Sequence, residues 1–452
     1  MALRLSRLLI CCVSFWVGAA TAEDLLEHQS ETDTSLSVLP LEDLRVFTKA
    51  YEHIRNSYIT EIDDKTLLEY AIRGMLDQLD PHSNYLDASS FDDLQVHTTG
   101  EFGGLGIEVG MEDGFIKVVS PIDDTPAKRA GIEAGDVIIK IDDTTLKGLS
   151  LGDAVEKMRG PKGSKIVLTV IREGVDQPFD VSLTRDIIKV KSVRSELMEE
   201  QYAYIRIAQF QINTGADMAA QFKKLQKKHD LKGIVLDLRN NPGGVLQASV
   251  DVVGTFLDGG MVVYTEGRMP HSNIEYKADE GDVSAGLPIV VLINEGSASA
   301  SEIVAGALQD HQRAVILGAR SFGKGSVQTV IPITDDKAIK MTTALYFTPK
   351  GRSIQAQGIV PDIVVERAKI TTIRNANRIT EAQLAGHLDN ALGGKDIKTK
   401  EREAERSQQE DTLQARDNQL YEAVNLLKGL RIFQQGAARV IPLTDASATP
   451  KP

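Results

Sequence analysis

Cysteine is almost missing from this chain. Among 452 residues only Cys11 and Cys12 are cysteines, adjacent and close to the start. They lie in a stretch that reads as a secretory signal, residues 1–22. Arg4 and Arg7 supply a positive beginning, Leu8 to Ala20 an apolar core, and Ala20-Thr21-Ala22 a small-x-small cleavage site. That core is too short to span a bilayer comfortably, and bulky Ile10 stands where a lipoprotein signal carries a small residue. Removal of the signal takes both thiols with it, which excludes disulfides and cysteine-held metals from the mature protein. An excess of basic charge is also lacking. Lys and Arg number 51 against 64 Asp and Glu, a net charge of −13, which argues against nucleic acid or an anionic membrane surface as the main partner. The expectation is an exported protein.

What remains is ordinary globular composition, 42% hydrophobic and 25% charged, so most of the chain should fold. Its length calls for two or three domains. From Leu41, the positions Leu44, Phe47, Tyr51, Ile54 and Tyr58 recur at helical spacing. A second helix over 65–79 stops at Asp80-Pro81, and together they form an N-terminal helical region, 38–95. From Gly100 short β-rich runs at 106–109, 115–119, 136–141 and 165–172 enclose one amphipathic helix at 150–158. This is a compact β-domain, 100–186. Residues 187–370 then alternate nearly all-apolar runs (233–238, 288–293, 314–317) with helices (218–228, 246–257, 302–310). Such runs suit parallel strands buried on both faces, so the fold class is multidomain α/β. The last region, 371–452, is helical and charged; 395–417 is a solvated helix or disordered, and 418–433 is amphipathic, with Leu420, Tyr421, Val424, Leu427 and Leu430 on one side. The end helices suggest self-association or an adaptor, with Leu427 and Leu430 buried in the contact.

Ser297, Ser299 and Ser301 crowd the turn Asn294-Glu-Gly-Ser-Ala-Ser-Ala-Ser-Glu302. Ser299-Ala-Ser-Glu302 is a capping box, in which Glu302 reaches back to the helix start. A serine there is also exposed beside free amides, the two things that acyl transfer needs. The nearest histidine, His311, sits about twelve residues along the same helix, roughly 18 Å away at 1.5 Å per residue, out of reach as a base. Lys324, between Gly323 and Gly325, arrives 25 positions after Ser299. If a strand begins at Lys324, then Ser326 and Gln328 share its face, and Gln328 can orient the amine. A lysine base must be neutral, which requires burial. Ser321-Phe-Gly-Lys324 is a rival, matching the Ser-x-x-Lys of penicillin-binding enzymes. Asp237-Leu-Arg-Asn-Asn-Pro-Gly-Gly244 breaks a buried strand with a tight turn, where an amide of Gly243 or Gly244 can serve as a second oxyanion donor.

Together with Gly323-Lys-Gly-Ser-Val-Gln328 and Gly358-Ile-Val-Pro-Asp-Ile363, these stretches resemble the C-terminal processing peptidases, or tail-specific proteases, over about Leu41 to Val365. The resemblance implies Ser299 as nucleophile, Lys324 as general base, Gln328 as its orienting partner, and an oxyanion hole from the Ala300 amide with one of Gly243 or Gly244. It also implies that the β-domain is a PDZ module, with Gly104-Leu105-Gly106-Ile107 as carboxylate-binding loop and Ala130-Gly-Ile-Glu-Ala-Gly-Asp136 as its later turn. The strand after that loop can then accept a peptide as an added strand. The reading is an exported serine endopeptidase acting on protein or peptide tails with free C-termini. The Gram-negative periplasm is the expected compartment, and no metal or organic cofactor is required. The alternative is a non-catalytic PDZ scaffold or holdase on a hydrolase-like core.

Overall fold

A computed structural model describes residues 40–112, 114–369, 381, 384–388 and 413–440. The signal segment with Cys11 and Cys12, and most of the charged stretch 395–417, lie outside these residues. The chain divides into two compact units, up to Ala71 and from Ile72 onward.

The first unit contains helix α1 (Leu41–Ser57), with Glu42 and Asp43 in its first turn and Arg55 in its last, the polarity that suits the helix dipole. None of its residues is buried, and Leu41, Leu44, Val46, Phe47 and Ile54 are exposed. Helix α2 (Asp64–Asp77) follows.

In the second unit, strand β1 (Asn84–Leu86) and helix α3 (Ala88–Thr99) lead into the β-domain. Asp87 caps α3 by accepting the Ser90 amide. Strand β2 (Glu101–Gly104) pairs with β9 (Asp186–Lys189) where the chain enters and leaves. Between them, β3 (Ile107–Glu112), β4 (Phe115–Pro121), β5 (Val137–Ile141), β7 (Lys165–Ile171) and β8 (Phe179–Thr184) form an antiparallel sheet in that order, with the short β6 (Thr144–Thr145) beside β5. Strand β7 shows why it forms: Ile166, Leu168 and Val170 point inward at every second position and are fully buried. Helix α4 (Pro126–Arg129) is a single turn, and α5 (Leu151–Met158) begins with a capping box between Ser150 and Asp153. Strand β3 is an edge of the sheet.

The α/β core is a second sheet ordered β10 (Val193–Met198), β11 (Tyr202–Ile207), β12 (Gly233–Asp237), β15 (Ile289–Ile293), β16 (Ala314–Gly318) and β19 (Ile363–Val364). All its pairings after β10–β11 are parallel. Every residue of β12 and β15 is buried. The reason is a cover on each face. Ile234, Leu236, Val291 and Ile293 pack into a core with α6 (Thr214–Lys228), α7 (Leu246–Gly254) and α8 (Ala300–Asp310). Val235, Val290 and Leu292 point the other way and pack under α9 (Asn418–Val440). Tyr202 of β11 and Leu317 of β16 join them. A third sheet carries β1, β18 (Lys337–Phe347), β13 (Gly260–Gly267) and β14 (Ile274–Ala278), with β17 (Ser326–Thr334) paired to β18.

Helix α9 corrects one expectation. Leu420, Val424 and Leu427 do form its apolar side, but Leu427 is fully buried against the chain's own sheet, beside Gly233. It is not available for self-association or an adaptor, because that sheet face would otherwise lie open to water. Arg239 fixes where α9 begins, gripping Asp417 with two hydrogen bonds (2.8 and 2.7 Å) and the buried Asp237 with two more (3.0 and 2.7 Å).

Candidate active site

Strand β15 ends at Ile293, and the chain turns through Asn294–Ser299 into α8. Two of the three serines in this turn are structural. Ser297 and Ser301 are fully buried. Ser297 Oγ donates to the Leu238 carbonyl (2.8 Å) and Ser301 Oγ to the Asn241 carbonyl (3.0 Å). Ser299 alone is partly exposed and opens onto a cleft of about 520 Å³, shared with Gly243, Gly244, Lys324, Gln328 and Tyr346. Its backbone has φ +55° and ψ −115°, a conformation that costs a residue with a Cβ about 1–3 kcal/mol. The surroundings impose it. The Ser299 amide donates to Glu302 Oε2 (2.8 Å), and its carbonyl accepts from the amides of Glu302 and Ile303.

The Asn-Asn-Pro-Gly-Gly turn is pinned to the same place. Asn240 and Asn294 exchange two hydrogen bonds of 2.8 Å. The Asn241 carbonyl accepts the Ala298 amide (3.0 Å), and Asn241 Oδ1 accepts the Gly243 amide (2.9 Å). The Gly243 amide is therefore taken, which removes it as a free donor. Neither the Gly244 amide nor the Ala300 amide at the head of α8 has an acceptor among the described residues. Gly243 has to be glycine twice over. Its φ is +100°, and a Cβ there would stand 2.8 Å from the Ser299 Cβ and 3.0 Å from the Ala300 nitrogen.

Glu302, legible in the sequence only as a cap, is the centre of the arrangement. Its side chain is fully buried and accepts four hydrogen bonds: the amides of Ser299, Gly323 (2.7 Å) and Lys324 (2.9 Å), and the hydroxyl of Ser321 (2.6 Å). Burial pushes its carboxyl pKa up, and these donors pull it partly back. Ser321 is thereby excluded as a nucleophile. It is buried, its hydroxyl is on Glu302, and the same oxygen accepts the Ile359 amide (2.6 Å). His311 bonds to the Met261 carbonyl at the far end of α8.

Lys324 is half-buried, and its amine makes no hydrogen bond or ion pair among the described residues. Burial holds its pKa below the ordinary lysine value. Lys340 pushes it further down, and Asp80 and Glu302 pull partly back. Tyr346, buried beneath it, donates its hydroxyl to the Lys324 carbonyl. Strand β17 starts at Ser326, and a bulge at Val327/Gln328 breaks strict alternation, so both of those residues line the cleft. Gln328 does not bond to Lys324. Its amide nitrogen donates to Ser326 Oγ (3.0 Å) and Thr342 Oγ1 (3.2 Å).

In the β-domain, the Leu105 and Gly106 carbonyls are occupied by the Ala127 and Ile122 amides (3.0 and 2.9 Å), while the amides of Leu105 and Gly106 have no partner among the described residues. Gly106 has φ +76° and lies so close to Thr125 that no Cβ fits. Gly104, Leu105, Gly106 and Ile107 line a small pocket with Val155 and Met158 of α5. Beside it runs the unpaired edge of β3.

The sequence model of peptidase family S41 matches residues 201–365, and that of the PDZ domain residues 103–183. A carboxy-terminal-processing protease of Bartonella bacilliformis is 48% identical over 380 residues, 83% of this chain and 87% of that protein. The chain belongs to the carboxy-terminal-processing proteases. The Bacillus subtilis carboxy-terminal processing protease CtpA is 36% identical over 360 residues, covering 77% of this chain and 76% of its own. A solved photosystem II D1 C-terminal processing protease is 32% identical, covering 71% of this chain and 86% of that one, with a TM-score of 0.43. The N-terminal domain of the activating protease CtpB matches residues 8–90, so the family signal begins well ahead of Leu41. This protease is thus a peptidase acting on peptide chains, with PDZ and S41 domains.

Backbone strain at Ser299 yields a stability prediction. Ser299→Gly should unfold in denaturant with about 1 kcal/mol more stability than Ser299→Ala, because only glycine is at ease at φ +55°. Equal stabilities would mean the turn relaxes when the serine is lost.

Proposed function

We propose that this protease is an exported serine endopeptidase that captures substrate C-termini in its PDZ domain and cleaves by a serine–lysine acyl-enzyme mechanism. One observation carries the reading: the partly exposed Ser299 and a half-buried, unpaired Lys324 open into one cleft, beside the free amides of Gly244 and Ala300.

Neutral Lys324 takes the Ser299 hydroxyl proton as the oxygen attacks the scissile carbonyl. The Ala300 and Gly244 amides hold the oxyanion. As the C–N bond breaks, the ammonium returns its proton to the leaving amine. Water then attacks the acyl-enzyme, giving its proton to the lysine, and the ammonium passes that proton to Ser299 Oγ as the ester C–O bond breaks, which regenerates serine and neutral lysine. No part of this cycle calls for a metal or organic cofactor. Gln328, keeping its NH₂ bonds to Ser326 and Thr342, accepts from the ammonium at its carbonyl oxygen. In the PDZ domain the free amides of Leu105 and Gly106, within the Gly104–Ile107 loop, suit a terminal carboxylate, and the β3 edge suits the residues before it. The apolar exposed face of α1 suits assembly with a second copy or an adaptor, and the segment 1–22 suits export to a Gram-negative periplasm.

An unstructured peptide ending in a free alanine tests the chemistry. The full chain should cleave it, Ser299→Ala should not, and Lys324→Ala should lose at least about 10²–10⁴-fold in kcat. Because burial disfavours the ammonium, the rate should rise with pH to a midpoint below the ordinary lysine value of 10.5. Near-normal cleavage by Lys324→Ala would sink the mechanism. Amidating the peptide's C-terminus should raise KM more than it lowers kcat, and an unchanged KM would remove the PDZ loop as the carboxylate site. Native mass spectrometry of protein from the producing cell should show multiples of a chain starting at Glu23. A monomer would refute assembly, and an intact N-terminus would refute export.

A further inference from the structure

The segment Asp80-Pro81-His82-Ser83 follows α2 and leads into β1, far in sequence from the catalytic motifs. Nonetheless it is bonded to the strand beside them. Thr342 of β18 donates its amide to Ser83 Oγ (3.1 Å) and its hydroxyl to Asp80 Oδ1 (3.1 Å). Asp80 is held in turn by the Ser83 hydroxyl (2.6 Å) and the His82 amide (2.8 Å). Burial pushes the Asp80 pKa up, but the bonds from Ser83, His82 and Thr342 more than offset it, so the group is a carboxylate at neutral pH.

The donor and acceptor roles then follow in one direction only. A carboxylate accepts and cannot donate, so the single hydroxyl proton of Thr342 goes to Asp80. Thr342 Oγ1 is left as an acceptor, and the Gln328 atom facing it must be the NH₂ group. The second hydrogen of that group goes to Ser326 Oγ. Both donors are consumed, and the Gln328 carbonyl oxygen is the only function it has left for the cleft. A lysine ammonium carries donors and no acceptor, so this is the orientation that can receive Lys324 once it is protonated.

We propose that Asp80 is a positioning residue for the peptidase reaction: through Thr342 it fixes the orientation of the Gln328 amide, and its charge steadies the Lys324 ammonium formed during catalysis. This rests on the serine–lysine reading above. The charged or titratable groups facing Lys324 are Lys340 of β18, Glu302 of α8, Asp80 and His82 of the turn, and Tyr346 of β18, whose burial pushes its pKa up and keeps it neutral. Lys340 opposes the ammonium and the two carboxylates favour it. Burial and both lysines hold the His82 pKa down, so His82 is neutral in the working range. In Asp80→Asn the residue keeps its size but can donate to Thr342. The threonine proton is then free to turn to Gln328, and the amide can flip its oxygen away from the lysine.

The test is the pH dependence of cleavage of the alanine-ended peptide by the full chain and its Asp80→Asn, Thr342→Val, Thr342→Ser and Lys324→Ala variants, each with a thermal melt. Asp80→Asn and Thr342→Val should each lower kcat about 10–100-fold with KM little changed, since a misplaced catalytic group costs on that order. Thr342→Ser, which keeps the hydroxyl, should recover most of the rate. Asp80→Asn should also move the midpoint of the pH profile downward, because a favourable charge next to the ammonium is gone. Thr342→Val, with Asp80 intact, should move it less. Unchanged kcat and midpoint in a folded Asp80→Asn protein would overturn the proposal, as would equal losses in Thr342→Ser and Thr342→Val. Wild-type cleavage by Lys324→Ala would instead overturn the serine–lysine reading itself, and the two failures are told apart by that variant.

Discussion

One buried carboxylate ties together the pieces of this candidate active site. Glu302 sits at the third position of α8, sealed from water, and the groups that converge on it come from both sides of the cleft: the Ser299 amide from its own turn, and Ser321, Gly323 and Lys324 from the loop ahead of β17. A carboxylate in that position needs all its donors, since each one lost leaves charge unsolvated in a low-dielectric interior. The requirement works in reverse as well. The loop carrying Lys324 cannot drift from the turn carrying Ser299 without stripping donors from Glu302. The relative placement of Ser299, the proposed nucleophile, and Lys324, the proposed base, is thus held by backbone amides and the Ser321 hydroxyl, with no bond between their two side chains required.

Much of the scaffold could be read from residue order. Gly233–Asp237 and Ile289–Ile293 are runs of β-branched and aliphatic residues with no polar face, and they became strands covered on both sides. The β-domain announced itself through glycine turns and alternating Ile and Val. Among the three crowded serines, the family resemblance pointed to Ser299, and of the three only Ser297 and Ser301 are buried. Gly243 and Gly244 were both visible as a tight turn, but which amide stays free depends on Asn241, whose side-chain oxygen takes the first.

Other parts could not be read that way, because they are contacts between distant segments. Nothing local to Asp80 says that it meets Thr342, and nothing in Tyr346 says that it lies under Lys324. Strand periodicity put Gln328 on the face of Lys324, yet the bulge at Val327/Gln328 and two neighbouring hydroxyls decide where its amide points. Amphipathicity identified the apolar side of α9 correctly but carries no label for what covers it. Here the cover is the molecule's own sheet.

That last packing sets an order of events. The face of the sheet bearing Val235, Val290 and Leu292 is closed by residues 420–427, which a ribosome delivers long after Ser299 and Lys324. Arg239, next to the Asn-Asn-Pro-Gly-Gly turn, likewise waits for Asp417 to complete its bonds. A nascent chain that already holds Ser299 and Lys324 still has an open hydrophobic face and a guanidinium that lacks half its partners. The finished peptidase therefore depends on α9, and its maturation waits for residues 417–427.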